Sequence, residues 1–163
     1  MKTLVSLTAL AVVLVLAPAA LAQSDWTANA TTGVVRPGSA PHTWIGPSIS
    51  FAGASTGQIV TRYNVTNTFG SASSSVMPWT TLRASIDDNS VAGNVRVRLV
   101  EVKHCQNQEV TLCVLGSSDL PGTQCPVCTF ATPVDFSNYE YFVEVIMNRT
   151  ANVPLTVTGL NLY

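Results

Sequence analysis

The stretch "NVRVRLVEV", Asn94 to Val102, decides the fold because apolar and polar side chains alternate along its first half. Its two arginines, Arg96 and Arg98, fall on one face of an extended chain, and the valines and leucine around them fall on the other. Successive side chains of a β-strand point to opposite faces, whereas those of a helix share a face every three or four residues. The stretch therefore predicts a strand with one buried and one solvated face.

Similar alternation recurs along the chain between clusters of Gly, Pro, Asn and Ser, and helical periodicity is hard to find. "EVTLCVL", Glu109 to Leu115, is expected to return as the hairpin partner of Asn94–Val102. About eight such strands predict an all-β fold, an antiparallel two-sheet β-sandwich of the jelly-roll type. The other clear strands are "QIVTRYNVT" (58–66), "WTTLRASI" (79–86), "NYEYFVEVIM" (138–147) and "VPLTVTGLNLY" (153–163).

The last of these strands has one face that is not apolar. Counting back by twos from Tyr163 gives Asn161 and Gly159, while the opposite face carries Leu160 and Leu162.

The start of the chain has the features of a secretory signal peptide. Lys2 precedes a short apolar run, and Ala20 and Ala22 form an Ala-x-Ala cleavage pattern. The run is too short to span a bilayer, so stable membrane insertion is not expected. We expect residues 1–22 to be the signal peptide and residues 23–163 to form a single β-sandwich domain that is secreted or periplasmic.

The charge pattern argues against nucleic acid as a partner. The formal net charge is −1 at pH 7, and the few basic residues are scattered. Binding to a phosphate backbone depends on a basic patch, which this chain lacks. Sequons at Asn29, Asn64 and Asn148 matter only in a host that glycosylates asparagine.

Four cysteines follow the signal peptide: Cys105, Cys113, Cys125 and Cys128. An even number in an oxidising compartment predicts two structural disulfides, although sequence alone does not select among the three connectivities. Linking the Asn94–Leu115 hairpin to the "CPVC" segment would close the longer loops and so is favoured. Metal binding is disfavoured because the spacing differs from that of zinc knuckles. A redox pair, Cys125 with Cys128, would need a helix start, and none is expected there.

No catalytic signature is found, so the protein is not expected to be an enzyme or to carry a cofactor. His42 and His104 are the only candidate general bases, and neither accompanies a nucleophile motif. Glu140 and Glu144 lie about 13 Å apart on one strand face, which is too far for a glycosidase pair. They are instead expected to pair with Arg96 and Arg98 across the sheet.

Two sets of residues remain as candidates for ligand binding, one polar and one aromatic. Asp87, Asp88 and Asn89 supply oxygen ligands of the kind that calcium prefers, although they lack the spacing of a calcium loop. Trp44 and Trp79 stand beside loops and prolines, so they are candidates for an exposed aromatic face that stacks on sugar rings.

Several segments together resemble the uncharacterised exported single-domain β-sandwich proteins found in many bacterial genomes. The resemblance covers about 100 residues and implies the fold and a location outside the cytoplasm, but it carries no activity and no site residues. It rests on "TRYNVTNTF", "WTTLRASIDDNS", "VRVRLVEV", "CTFATPVDFSNYEYFVEV" and "LTVTGLNLY".

Three functional hypotheses follow from these patterns. The first is an exported, non-catalytic β-sandwich that binds an extracellular carbohydrate or protein, or has a structural role. The second is a carbohydrate-binding module, which rests on the exposed aromatic face. The third is a thiol-disulfide redox protein that uses Cys125 and Cys128.

Overall fold

A computed structural model describes residues 25–67, 75–106 and 108–163, and the described chain is almost entirely antiparallel β-structure. The predicted signal peptide lies outside the described residues. The elements are β1 (Trp26–Asn29), the 3-10 turn η1 (Ala30–Thr32), β2 (Val34–Val35), β3 (His42–Ile45), β4 (Ser48–Phe51), β5 (Gly57–Val65), β6 (Val76–Met77), β7 (Thr81–Asp88), β8 (Gly93–Lys103), β9 (Glu109–Gly116), β10 (Thr123–Gln124), β11 (Val127–Thr129), β12 (Val134–Asp135), β13 (Tyr139–Arg149) and β14 (Leu155–Leu162).

These strands form two sheets packed face to face, so the predicted β-sandwich is confirmed. The seven-stranded sheet, here sheet I, has the order β10-β7-β14-β4-β3, with β1 added beside β14 and β11 beside β7. The five-stranded sheet, here sheet II, has the order β2-β5-β13-β8-β9, and β12 pairs with β6 apart from both. The described residues hold fourteen strand segments rather than about eight, because many are only two to four residues long.

The hydrophobic core lies between the inner faces of the two sheets. The predicted alternation of β8 is confirmed, since Val95, Val97 and Leu99 are fully buried. β13 runs beside β8 in antiparallel register, and its Val143 and Val145 are also fully buried. Each fully buried side chain of this size contributes about 1.5–3 kcal/mol through apolar burial.

One end of the core holds a buried arginine. Arg149 ends β13 on its inner face with 4% of its surface exposed. Its guanidinium donates hydrogen bonds to the carbonyl oxygens of Gly53 (2.7 Å), Ser55 (2.7 Å) and Val153 (3.1 Å) and lies 4.6 Å from the centre of the Phe51 ring. Arg149 therefore ties the β4–β5 loop to the β13–β14 connection.

β14 occupies a central position in sheet I. It pairs with β7 along one edge and with β4 and β1 along the other. Its polar residues face outward, so that Asn161 lies between Arg83 of β7 and Thr27 of β1. This register builds the outer surface on which the candidate site lies. Among the described residues, no helix has the length and hydropathy needed to cross a membrane.

Candidate functional site

One disulfide joins the two sheets. Cys113 of β9 in sheet II is bonded to Cys128 of β11 in sheet I, with a Cα–Cα distance of 5.9 Å. Both residues pair with inward-facing leucines, Leu99 and Leu82, so the bond lies between the sheets. The favoured linkage between the hairpin and the "CPVC" segment is therefore present.

The expected second disulfide is absent from the described structure, in which Cys105 and Cys125 are exposed free thiols. Cys105 follows β8 at the end of sheet II, where the neighbouring His104 donates its backbone N–H to the carbonyl oxygen of Asn138. Cys125 follows β10, against β7 of sheet I. The two thiols thus belong to different sheets, which the spacing of the cysteines could not reveal.

The "CPVC" segment does not have the arrangement of a redox active site. Cys128 is bonded to Cys113 rather than to Cys125, and the segment runs between two short strands rather than into a helix. The helix amides that lower a catalytic thiol pKa are therefore missing at this point of the fold. The structure does not support the redox hypothesis.

The two candidate tryptophans are not brought together. Trp79 is 3% exposed and packs in the core, edge-on to Phe136 at 6.4 Å, so it is not available to a ligand. Trp44 is 40% exposed and contacts the edge of His42 at 5.7 Å. It pairs with buried Ile49, so it projects on the core side of sheet I, at the uncovered edge formed by β3.

The candidate calcium residues also diverge. Asp87 lies on the outer face of β7, where it accepts a hydrogen bond from Thr156 (3.3 Å). Asp88 is fully buried on the inner face and accepts hydrogen bonds from Ser117 and from the backbone of residue 90. Asn89 accepts a hydrogen bond from the backbone of residue 122. In the described segments, no three acidic, histidine or cysteine side chains are placed to share a metal ion.

A buried ion-pair cluster lies on the outer face of sheet II. Glu144 of β13 is 1% exposed and accepts hydrogen bonds from Arg98 (2.7 Å) and Arg62 (2.9 Å), while Glu109 lies 3.1 Å from Arg62. Burial alone would raise the pKa of Glu144, but the hydrogen bonds and charges of the two arginines outweigh it and hold that pKa below its ordinary value.

The expected pairing is found for Glu144 with Arg98. It is not found for Glu140 or Arg96, because the register places Val102 opposite Glu140 and Ile146 opposite Arg96. The burial of Glu144 is a new finding.

Replacing Glu144 with glutamine is expected to lower the free energy of unfolding by about 2 kcal/mol at pH 7, because two arginines lose a charged hydrogen-bond acceptor. A folded-state pKa below the unfolded value means that the carboxylate stabilises the fold above the unfolded pKa and loses this effect as pH falls through the folded pKa. Urea denaturation should therefore show the difference from wild type shrinking below about pH 4.

Glu140→Gln is the matched control for this prediction, because Glu140 lies on the same face of the same strand but is exposed and forms no ion pair among the described residues. Its unfolding free energy is expected to stay within about 0.5 kcal/mol of wild type. Equal stabilities for the two variants at pH 7 would contradict the role assigned to Glu144.

A groove crosses the outer face of sheet I at Gly159. Gly159 lies between Asn29 of β1 and Ser85 of β7, and its missing side chain leaves a depression between these strands. The depression has a volume of about 260 Å³. We call it the Gly159 groove. Its polar and thiol-bearing side chains are those of Thr27, Asn29, Arg83, Ser85, Cys125 and Asn161.

Arg83 lies beside an exposed aromatic ring at the end of the groove. Its guanidinium carbon is 5.4 Å from the centre of the Tyr163 ring, and Tyr163 is 41% exposed. Asn161 and Tyr163 follow Gly159 by twos along the chain, so all three face outward. An aromatic ring, a guanidinium and an amide therefore share one open surface.

Hydrogen-bonding capacity in the Gly159 groove is partly unused. The side-chain oxygen of Asn161 is buried and accepts no hydrogen bond in the described structure. An unpaired buried oxygen is costly, and rotation of the amide would relieve that cost. Asn29 and Thr27 are exposed and flank the same position. The groove can therefore donate and accept hydrogen bonds to a polar ligand.

A second depression, of about 400 Å³, lies at the end of sheet II. Its aromatic rings already contact one another: Phe136 and Tyr141 are 5.4 Å apart, and Tyr139 is 6.2 Å from Tyr141. The Tyr141 hydroxyl accepts a hydrogen bond from the Asp135 backbone (2.9 Å), and burial raises its pKa to about 12. We call it the Tyr139 depression; His104, the neighbour of Cys105, also lines it.

The Gly159 groove could not be found from the local sequence of any one strand. Its residues come from β1, β7, β14 and the segment at Cys125, which only the strand pairing brings together. One signal was present: a glycine inside a strand pattern marks a bulge or a close approach, and the register shifts between Val157 and Gly159.

The chain matches no protein-family model and no curated protein. Solved structures with a similar arrangement include a family two carbohydrate esterase from Cellvibrio japonicus, at 15% identity and a TM-score of 0.44 over 85% of this chain. A carbohydrate-binding module from the β-sandwich superfamily is similar at 14% identity and a TM-score of 0.45 over 83% of the chain.

The chain spans 33% of that esterase and 54% of that binding module. A family 35 carbohydrate-binding module from Clostridium thermocellum is similar over 98% of its own length and 86% of this chain, at 10% identity and a TM-score of 0.39. None of these TM-scores reaches 0.5, so the similarities support no conclusion about a ligand.

Proposed function

We propose that this protein is a non-catalytic carbohydrate-binding module that acts outside the cytoplasm and binds sugar in the Gly159 groove. The observation that carries the proposal is the open outer face at Gly159, where the exposed polar side chains of Thr27 and Asn29 and the exposed ring of Tyr163 lie on one surface. The disulfide between Cys113 and Cys128 supports a location outside the reducing cytoplasm.

The chemistry of the groove suits a sugar. Hydroxyl groups of a sugar ring both donate and accept hydrogen bonds, and the side chains of Asn29, Ser85 and Asn161 supply both functions. The flat C–H face of a sugar packs on an aromatic ring, and Tyr163 exposes such a ring beside Arg83. Because these groups stand on paired strands, they are held in place before the ligand arrives.

Trp44 is a second exposed aromatic residue that could stack on a sugar. It lies on edge strand β3 and projects from the opposite side of sheet I to the Gly159 groove. If Trp44 extends the binding surface, a long polysaccharide has to pass around the sheet edge. Measuring binding by Trp44→Ala tests this contribution separately from the groove.

The two free thiols allow a direct test on the intact chain. Cys125 lines the Gly159 groove, and Cys105 adjoins the Tyr139 depression through His104. Soluble glucans, xylans, mannans and polyuronates are added in turn, and iodoacetamide labelling of each thiol is followed by mass spectrometry. At ten times the Kd, labelling of Cys125 is expected to slow about tenfold, because only the unoccupied groove reacts.

Cys105 is the internal control, and its labelling rate is expected not to change. Protection of Cys105 in place of Cys125 would move the site to the Tyr139 depression and overturn the assignment of the groove. If no polysaccharide protects either thiol and none binds by isothermal titration calorimetry, the carbohydrate proposal fails, and a protein partner becomes the hypothesis to test.

A further inference from the structure

The Gly159 groove has a single charged lining residue, Arg83; all others are neutral. On the same strand, the next acidic residue is Asp87, four residues away and therefore about 13 Å along the strand. Asp87 already accepts a hydrogen bond from Thr156. The one formal charge among the residues that line the groove is therefore positive, although the whole chain has a formal charge of −1.

Arg83 differs from most other arginines of the described chain because its charge is unpaired. Arg36, Arg62 and Arg98 form ion pairs with Glu144, and Arg149 donates to backbone carbonyls. The Arg83 guanidinium instead lies over the ring of Tyr163.

The hydrogen-bond donors of Arg83 remain available to a ligand. The guanidinium carbon lies 5.4 Å from the centre of the Tyr163 ring, and no carboxylate of the described residues forms an ion pair with the guanidinium N–H groups. Two parallel N–H groups of this fork match the two oxygens of a carboxylate, and such charge-assisted bonds are stronger than neutral ones.

We propose that Arg83 selects a carboxylate-bearing sugar, so that the ligand of the Gly159 groove is an acidic glycan containing uronic acid residues. This inference rests on the proposed carbohydrate-binding function and specifies its ligand class. In the bound state, the carboxylate lies against the Arg83 fork, and the sugar hydroxyls meet Asn29, Ser85 and Asn161 in the groove.

The experiment compares ligands that differ only in charge. Polygalacturonate, alginate and glucuronoxylan are each titrated beside their carboxyl-reduced, neutral counterparts against the oxidised full chain. Wild type is expected to bind at least one acidic form about tenfold more tightly than its counterpart at low salt, and this preference should decrease as ionic strength rises.

Arg83→Gln is expected to remove the preference, and Arg83→Lys to keep only part of it because the point charge lacks the fork. Arg96→Gln is the matched control. Arg96 is also an exposed arginine, but it lies on a central strand of sheet II, away from the groove. Its replacement is therefore expected to leave the preference for acidic glycans unchanged.

The outcomes separate this inference from the proposed function. Equal binding of acidic and neutral forms, with Cys125 protected by both, overturns the role of Arg83 and leaves carbohydrate binding in place. A preference that survives Arg83→Gln also overturns it. If neither form binds but a glucan, xylan or mannan protects Cys125, the role of Arg83 is overturned and carbohydrate binding stays in place. If none of these polysaccharides binds and Cys125 stays fully reactive, the proposed function itself fails.

Discussion

Replacing Gly159 with leucine is expected to weaken glycan binding about a hundredfold while leaving the fold intact, a loss of about 2.7 kcal/mol of binding free energy. The new side chain would fill the depression between β1 and β7. A Cβ atom at Gly159 meets only the carbonyl oxygen of Ala28, at 3.8 Å, which is an ordinary contact. The substitution therefore closes the groove without forcing the strands apart.

Gly116→Leu is the matched control because a Cβ atom there also meets a single carbonyl oxygen, that of Val95 at 3.5 Å, but on sheet II. Both variants are expected to unfold in urea within about 1 kcal/mol of wild type. Calorimetric titration then separates them: Gly116→Leu should bind as wild type does. Wild-type affinity in a folded Gly159→Leu variant would exclude the groove as the binding site.

Replacing Arg149 with methionine is expected to lower the free energy of unfolding by about 3 kcal/mol. Methionine keeps most of the apolar stem but donates no hydrogen bond, so the carbonyl oxygens of Gly53, Ser55 and Val153 lose a charged donor. The contact with the Phe51 ring is weakened as well. Urea denaturation with disulfide-intact protein measures the loss as a lower midpoint at an unchanged slope.

Arg96→Met provides the comparison, since Arg96 is exposed and its change to methionine should cost less than about 0.5 kcal/mol. Arg149→Lys keeps the charge but cannot reach all three carbonyl oxygens at once, so an intermediate loss is expected. A stability of Arg149→Met equal to that of Arg96→Met would show that the buried guanidinium does not hold the two loops.

The strands were predictable from sequence because their signal is local. Alternation in Asn94–Val102 and in 138–147 places apolar side chains on one face whatever the partner strand is, and both predictions are confirmed. The number of strands was underestimated, because a two-residue segment such as β6 or β10 is too short to show the alternation of apolar and polar residues that identifies a strand.

The site and the disulfide partners were harder to predict because they depend on which strands pair. Trp79 beside Pro78 looked as exposed as Trp44 beside its own loop, yet Trp79 packs against Phe136, which is 57 positions further along the chain. Likewise, nothing near Cys125 indicates that it lines a groove while Cys128 is bonded to Cys113. Tertiary contacts decide such cases, and a single sequence does not record them.

The central place of β14 in sheet I also has a consequence for biogenesis. Strands β1, β4 and β7 all pair with residues 155–162 of β14. These three strands are synthesised earlier, so their pairing cannot be completed until β14 is present. Until those residues have been synthesised, sheet I has unsatisfied edges in its middle and cannot close over the core. Sheet I therefore completes its folding only after β14 has been synthesised.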